Sequence, residues 1–522
     1  MTALSDAPAR PAEPPDQHLP PVVVAAGILV LLGGLFFFAV SRSELWLDEA
    51  LSVNIARLPL GDLHAALKQD GAPPLYYLLL HVWTGIFGSG NEAARTLSGL
   101  CMAGAAVAIF FATQRFTNRT AAWIAVILMA TSPYAIRYAT EARMYALVVL
   151  LVACGTVAAQ RAIEKPSLGR LAVFALFVAL ALYTQYWCFY IVGVAGLLFA
   201  WMWWRGEHRE AGRKLFVATI VGGLAFLPWL PTFLYQREHT GTPWGKAVMP
   251  GIPIGYTLRD FAGGASGTAA DRQEGWLLFF ILVPMLLLGI FAIAATARRI
   301  ELDVFVPRTT RGITYMLVGG LVAATTLNYL AGGAFQSRYS AIVFPFYILL
   351  VARGFTILRD QRVLGVLLIV TVALGFAGGV RNLETQRTQA RGVADALVAQ
   401  AKPGDVVVYC PDQIAPSVHR LLPSDLGLVE VTFPNFDGPE RVDWVDYKAN
   451  IARADVNAFA AEALRRAEGH QLFYVTAPGY ITHPGTCEAL AAALGQSRSA
   501  RQITVSDEEI FEKPALQVFT AR

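Results

Sequence analysis

Two polar clusters stand directly against the apolar runs of this chain: Asp48 and Glu49 in "SELWLDEALSVNIA", and Glu141 with Arg143 in "YAIRYATEARMYALVVLL". Ionisable side chains at the edge of hydrocarbon are unfavourable, so by default they mark a working site. A carboxylate at a low-dielectric boundary is suited to take the proton of a hydroxyl that attacks an activated carbon. Neighbours at i and i+1 diverge on a helix, so Asp48 and Glu49 are not expected to share one task. The competing reading of the pair is a helix N-terminus, where acidic groups favour the macrodipole, or a solvated turn.

The medium around these groups follows from composition. Of 522 residues, 55% are hydrophobic and 15% charged, and the mean hydropathy is +0.48. Soluble domains average roughly 45–50% apolar and 25% charged, so this is a membrane protein. The net charge of +4 is spread over loops, with no basic run interleaved with aromatics, which argues against nucleic acid as a partner. The eight histidines show no H-x-x-x-H or paired His/Asp spacing, so no metal is expected. No G-x-G-x-x-G or Walker sequence is present, and no cofactor is expected. Cys101, Cys154 and Cys188 lie in apolar runs, which leaves Cys410 and Cys487 of the polar tail as the pair able to form a disulfide.

Residues 1–20, rich in proline and small polar residues, read as a disordered tail. Residues 21–380 hold apolar runs near 21–40, 93–114, 120–138, 144–162, 170–187, 188–204, 215–231, 277–296, 313–331, 341–357 and 363–380, about eleven spans. The basic loops "QRFTNR", "QRAIEKPSLGR", "WWRGEHREAGRK", "ARRIELDVFVPRTTR" and "RDQR" then share one side, which the positive-inside rule makes cytoplasmic, together with the N-terminus. The polar clusters share the other side. The segment Pro73–Gly88, short and rich in Tyr, His and Trp, reads as a helix lying in the interface. From 381 to 522, short β-branched runs alternate with helical stretches, so an extracytoplasmic α/β domain with a mostly parallel sheet is expected.

One series of motifs adds to this reading. A W-x-D-E loop is followed by P-P-L-Y-Y, by N-E-A-A-R-T-L-S opening a span, and by S-P-Y-A-I-R-Y-A-T-E-A-R-M-Y-A-L between two spans. Over roughly residues 25–200 the series resembles the GT-C class of membrane glycosyltransferases, in the branch of the protein O-mannosyltransferases and the lipid A aminoarabinose transferase. The resemblance implies that Asp48 is the catalytic or acceptor-orienting carboxylate, that Glu49 occupies the second acidic position, and that Glu141 and Arg143 complete the site. Tyr76 of the P-P-L-Y-Y helix joins the expected substrate-binding set. Where the family often has a basic residue before the Pro-Pro pair this chain has Ala72, and where "Y-T-H-Y" is common it reads "YTQYW", with Gln185. Arg338, followed by Tyr339 in "FQSRYSAIVFPF", is the substitute cation, since a guanidinium fork suits phosphate. The competing reading of Arg338 is interfacial snorkelling. Lys246, Arg237 and His239 stand on a loop that is either a lid or ordinary solvated chain.

The implied fold is thus an α-helical polytopic membrane protein, GT-C-like over 21–380, with the α/β domain at its C-terminus. The implied activity is transfer of a sugar, with inversion and with Asp48 as base, from a polyprenyl-phosphate donor to an extracytoplasmic glycan, lipid or protein. Membrane lipid is the remaining partner. Mannose is the sugar that family prevalence favours; arabinose or an amino sugar would need the same residues. The alternatives are a lipid or glycan transporter and a non-catalytic cell-envelope assembly subunit. The transporter reading expects Gly/Pro-broken spans in corresponding halves, which the sequence does not offer.

Overall fold

Lipid has no hydrogen bonds to give, so an apolar run must satisfy its own backbone, and a helix does so. The computed structural model describes residues 21–206, 208–264, 273–295 and 299–521. The segment 1–20, expected to be disordered, lies outside the described residues, as do residues 265–272 of the long loop before Gln273. Each of the eleven apolar runs lies largely on helix, one of them on a bent pair, and the run 277–296 passes from helix into a short strand at Ala292–Ala295. Seven of these helices are long and apolar enough to cross a membrane, or eight with the bent pair counted as one span. Ala25–Ala39, Leu168–Thr184 and Phe344–Ile357 are shorter apolar helices, and so is Leu75–Phe87 in the segment expected at the interface.

The bent pair is decided by sequence. Arg119–Thr131 ends where Pro133 follows, because proline brings no N–H and crowds the preceding turn. Ser132 then caps the new helix Pro133–Ala139, its hydroxyl accepting from the Ala135 N–H at 3.3 Å, with Pro133 in the first turn. The two helices meet at 58°, and the second delivers the Thr140–Arg143 turn before Tyr145–Glu164 begins. On the other side of the site, the helix Leu60–Asp70 is closed by Gly71 in the left-handed region (φ 81°), and a Cβ there would meet the Thr240 hydroxyl at 2.7 Å.

The C-terminal part holds a five-stranded sheet. Numbering strands along the chain, β1 (Ala292–Ala295) and β2 (Ile300–Leu302) form a separate antiparallel pair. The sheet comprises β3 (Val406–Cys410), β4 (Val429–Thr432), β5 (Leu472–Thr476), β6 (Arg498–Thr504) and β7 (Ala515–Ala521), in the order β4-β3-β5-β7-β6. The expectation of a mostly parallel sheet needs correction: β4, β3 and β5 are parallel, but β7 runs antiparallel to both β5 and β6. The reason is the connection, since residues 505–514 between β6 and β7 are too few for a crossover helix. β3 is buried on both faces: Val406, Val408 and Cys410 enter one apolar cluster, Val407 and Tyr409 another. Cys410 at its end is disulfide-bonded to Cys487, 77 residues on.

This tail is fastened to the helical body by charge as well as by apolar contact. Trp46, Leu47 and Leu51, around and within the helix Leu47–Ala56, pack with Val442, Tyr447 and Ile451 of the tail. Glu49 on the same helix is fully buried; Oε1 accepts from Arg95 Nε at 2.7 Å and from the Ala142 N–H at 2.9 Å. Its Oε2 accepts from Arg95 Nη2 at 2.7 Å and from Arg387 Nη1 at 3.4 Å. Arg387 also donates to the Thr140 carbonyl at 2.6 Å and to the Thr140 hydroxyl at 2.9 Å, and Arg95 donates to the Ser43 carbonyl at 2.6 Å. Burial alone would push the Glu49 carboxyl up, but Arg95, Arg387 and the Ala142 N–H outweigh it and hold the group well below its ordinary value.

A second buried carboxylate comes from the tail itself. Glu512 accepts the Leu47 N–H at 2.7 Å on Oε2, and the Thr388 hydroxyl at 2.6 Å and the Ser417 hydroxyl on Oε1. It therefore satisfies a first-turn amide of the Leu47–Ala56 helix, for which Trp46 offers no side-chain cap. Burial pushes the Glu512 carboxyl up to about 7, although Ser417, Thr388 and Leu47 act in the opposite sense.

Two outcomes follow for the clamp. Glu49→Gln leaves two buried guanidinium groups without their anion, and breaking such a pair costs about 3–5 kcal/mol. The detergent-solubilised variant is expected to unfold well below the wild type in a thermal melt monitored by tryptophan fluorescence; an unchanged melt would remove Glu49 from the clamp. Glu512 titrates higher in the folded chain than its ordinary 4.5, so its contribution is complete below about pH 4.5 and is lost as pH rises through about 7. The wild-type melting temperature should therefore fall more steeply between pH ~5 and ~8 than that of Glu512→Gln, which cannot titrate. Equal slopes would contradict the raised value.

Candidate active site

Asp48, one residue before the buried Glu49, keeps 17% of its side chain exposed, and its Oδ2 pairs with Arg338 Nη1 at 3.2 Å. Arg338 reaches it from the short helix Ser337–Ile342, which precedes the apolar helix Phe344–Ile357. The guanidinium lies over three rings, Trp46 at 5.5 Å, Trp244 at 5.9 Å and Tyr339 at 5.7 Å, and such faces hold a cation in place. Tyr339 is itself stacked on Trp187, with centroids 4.7 Å apart. Arg338 Nε is buried without a hydrogen-bond partner among the described residues, so the fork has a donor left after Nη1 is committed to Asp48.

Arg143 approaches from the opposite side. Its Nη1 donates to the Ser52 hydroxyl at 3.0 Å, to the Tyr77 hydroxyl at 3.2 Å and to the Asp48 carbonyl at 3.4 Å. Tyr77 in turn donates to Asp70 Oδ2 at 2.6 Å. Burial pushes the Asp70 carboxyl up, while Arg143 and Tyr77 pull it down. The Thr140–Arg143 turn is thus fixed at both ends, by Thr140 and Ala142 on the Glu49 network and by Arg143 beneath Asp48.

The expected residues divide into two groups. Asp48, Arg143, Arg338 and Tyr339 meet around one point, joined by Tyr77, Ser52, Trp46 and Trp244. Glu49 is enclosed in its own ion network, and Glu141 is buried and paired with Arg137 rather than with Arg143. Tyr76 turns to Ser98, hydroxyl to hydroxyl at 3.3 Å, and Ser98 donates to the Arg143 carbonyl, so Tyr76 supports the turn from behind. Gln185 is buried, and neither its Oε1 nor its Nε2 has a hydrogen-bond partner among the described residues. Ala72 is buried, its carbonyl accepting from Gln236 Nε2 at 3.3 Å. From the loop considered as a lid, Trp244 reaches Arg338, while His239 faces Asp446 of the tail at 3.2 Å.

Tyr77, Asp70, Trp244, Arg387 and Glu512 escaped the reading of the sequence. A tyrosine pair on a helix carries no mark of which member faces a site, and the two tail residues act through contacts 338 and 465 positions away. Trp244 could have been found, as an aromatic beside proline on a loop of the same side. Among the described residues, the His/Cys/Asp/Glu group close enough to share a metal ion is Cys410, His483 and Cys487, and both sulfurs are bound in the disulfide.

Residues 71–234 match the family described as dolichyl-phosphate-mannose-protein mannosyltransferase, a segment that contains Tyr76, Tyr77, Glu141, Arg143 and Gln185. No curated protein sequence matches the chain. Among solved structures, ArnT from Cupriavidus metallidurans bound to undecaprenyl phosphate is similar over 95% of this chain and 98% of its own, at 14% identity and a TM-score of 0.60. The apo state of the same protein gives 15% identity over the same shares, also at 0.60. The Archaeoglobus fulgidus oligosaccharyltransferase in complex with Zn and sulfate overlaps 92% of this chain and 72% of its own, at 12% identity and a TM-score of 0.49. The likeness to ArnT extends through the tail, beyond the reach of the sequence motifs. The chain is therefore a multi-pass membrane protein with the fold of the GT-C glycosyltransferases, similar over residues 71–234 to the protein mannosyltransferase family.

Proposed function

We propose that this chain transfers a sugar from a polyprenyl-phosphate donor to a hydroxyl group of an extracytoplasmic acceptor, with inversion at the anomeric carbon. The observation that carries the reading is the partly exposed Asp48–Arg338 pair, a carboxylate and a guanidinium 3.2 Å apart inside an aromatic surround. The binding of undecaprenyl phosphate by ArnT, a protein of the same fold, supports the donor class. The disulfide between Cys410 and Cys487 supports an oxidising compartment for the tail, and the basic loops support the same orientation.

In this reading the donor phosphate competes for the Arg338 fork and frees Asp48 Oδ2 for the acceptor. The acceptor oxygen attacks the anomeric carbon from the face opposite the phosphate and its proton passes to Asp48. The carbon–oxygen bond to phosphate breaks, its electron pair leaves with the polyprenyl phosphate, and Arg338 meets the added negative charge. Arg143, held by Ser52 and Tyr77, adds positive potential and fixes the turn of helix that carries Asp48. Holding the two reactants in line is worth on the order of 7–11 kcal/mol, and the cations act where charge develops.

The test is turnover by the purified chain with radiolabelled mannosyl, arabinosyl and aminoarabinosyl polyprenyl phosphates. Asp48→Asn keeps the shape and removes the charge, and loss of a general base costs roughly 10²–10⁴-fold in rate. The variant should bind donor and melt like the wild type while transfer falls by that factor; transfer near the wild-type rate would remove Asp48 from the chemistry. For Arg338→Ala the expectation differs. A phosphate contact already present in the ground state mainly adds uniform binding, so the apparent donor affinity should fall more than the saturated rate. Lys at 338 should restore part of the loss, keeping the charge without the fork. An unchanged donor affinity in Arg338→Ala would transfer the phosphate role to Arg143.

A further inference from the structure

The tail contributes more than a clamp. Where β5 ends, the loop Ala477–Glu488 lines a cavity of about 240 Å3, with Tyr480, Ile481, His483 and Glu488 on its walls. This is the carboxyl end of a strand in the parallel part of the sheet, where open α/β sheets present their ligand crevices. The cavity is below the roughly 300–1,000 Å3 of sites for drug-sized ligands, a size that suits a single sugar ring.

The polar groups define what it would hold. His483 is 3% exposed, and its Nε2 lies 2.8 Å from the Tyr447 hydroxyl. That hydroxyl gives its one proton to Asp412, whose carboxylate can only accept, and it also accepts from Gln413 Nε2 at 3.3 Å. His483 must then donate from Nε2, and its buried Nδ1 has no partner among the described residues. A buried ring nitrogen without a hydrogen-bond partner is unfavourable unless a ligand supplies one. Tyr480, on the same wall, is pushed well above its ordinary value by burial and then by the nearby Glu512, Asp48 and Asp412 carboxylates, so it stays protonated and able to donate. Tyr447, beneath His483, packs in the cluster with Trp46, Leu47 and Leu51 at the start of the Asp48 helix.

We propose that the cavity lined by Tyr480, His483 and Glu488 is the acceptor subsite, taking a sugar ring of a polyhydroxylated acceptor so that one of its hydroxyl groups is presented towards Asp48. One ligand hydroxyl pairs with His483 Nδ1 and another with the Tyr480 hydroxyl or the Glu488 carboxylate. The proposal rests on the transfer reaction above for its catalytic meaning, but the binding itself does not require turnover.

The experiment uses the full chain in detergent and the methyl glycosides of mannose, arabinose and glucosamine as probes. Binding is read by saturation-transfer NMR, and the KM of each transferred acceptor is measured alongside. Substituting His483 would disturb the buried network under the Asp48 helix, so the variants are Tyr480→Phe, which removes a single hydroxyl, and Ile481→Trp, which fills the cavity from a side chain that is 55% exposed. At least one glycoside should bind the wild type, with affinity at least ~10-fold weaker in Ile481→Trp and several-fold weaker in Tyr480→Phe. The acceptor KM should rise in step, with donor KM and melting temperature unchanged. Glycoside binding that survives Ile481→Trp undiminished, or no binding of any probe to the wild type, would overturn the subsite. A chain that binds a glycoside in this cavity yet transfers no sugar would keep the subsite and overturn the proposed reaction.

Discussion

The arrangement depends on one buried carboxylate. Glu49 draws together the loop at Ser43, the first turns of the helix Asn91–Phe116 through Arg95, the Thr140–Arg143 turn, and the segment that leads into the tail through Arg387. Three buried charges hold only while each is answered, and here two guanidinium groups share one anion and place further donors on carbonyl oxygens and a hydroxyl. Four chain segments are thereby fixed against one another at the point from which Asp48 emerges. The neighbouring carboxylates thus divide the labour: Glu49 is spent on position and Asp48 is left partly open.

The division explains why the cations around the site are not interchangeable. Arg95 and Arg387 face Glu49 and nearby carbonyl oxygens, whereas Arg338 meets Asp48 through one nitrogen and rests on rings elsewhere. A guanidinium held by aromatic faces keeps its charge localised near the pocket without consuming its hydrogen-bond donors. Arg143 is intermediate: it binds the helix carrying Asp48 through a carbonyl and Ser52, so it acts on both position and potential.

Much of this was legible in the sequence, and for a definite reason. Uninterrupted apolar runs must be helices in lipid, so the apolar segments could be found without any knowledge of packing, whereas the bend at Ser132–Pro133 inside the run 120–138 was not anticipated. Charged residues against such runs stand out, which is why Asp48, Arg143 and Arg338 were visible. What stayed hidden was partnership. Whether Tyr76 or Tyr77 faces Arg143 depends on the rotational setting of a helix amphipathic by only a few residues. Glu49 and Glu141 read as site carboxylates because nothing local says that Arg95, Arg387 and Arg137 answer them. The reversed strand β7 could have been anticipated from the short, turn-rich "VSDEEIFEKP" before it, which leaves no room for a crossover.

The bond between Leu47 and Glu512 spans 465 positions. During synthesis the helix bearing Asp48 emerges among the first segments and the residue that completes its opening turn among the last. The chain between them includes four strands of the five-stranded sheet, β3 to β6. The opening turn of the helix bearing Asp48 is therefore completed only once the tail has been made. A closure of such long range is slow to reach and, once reached, makes the local order of the Asp48 helix report on the folding of the entire molecule.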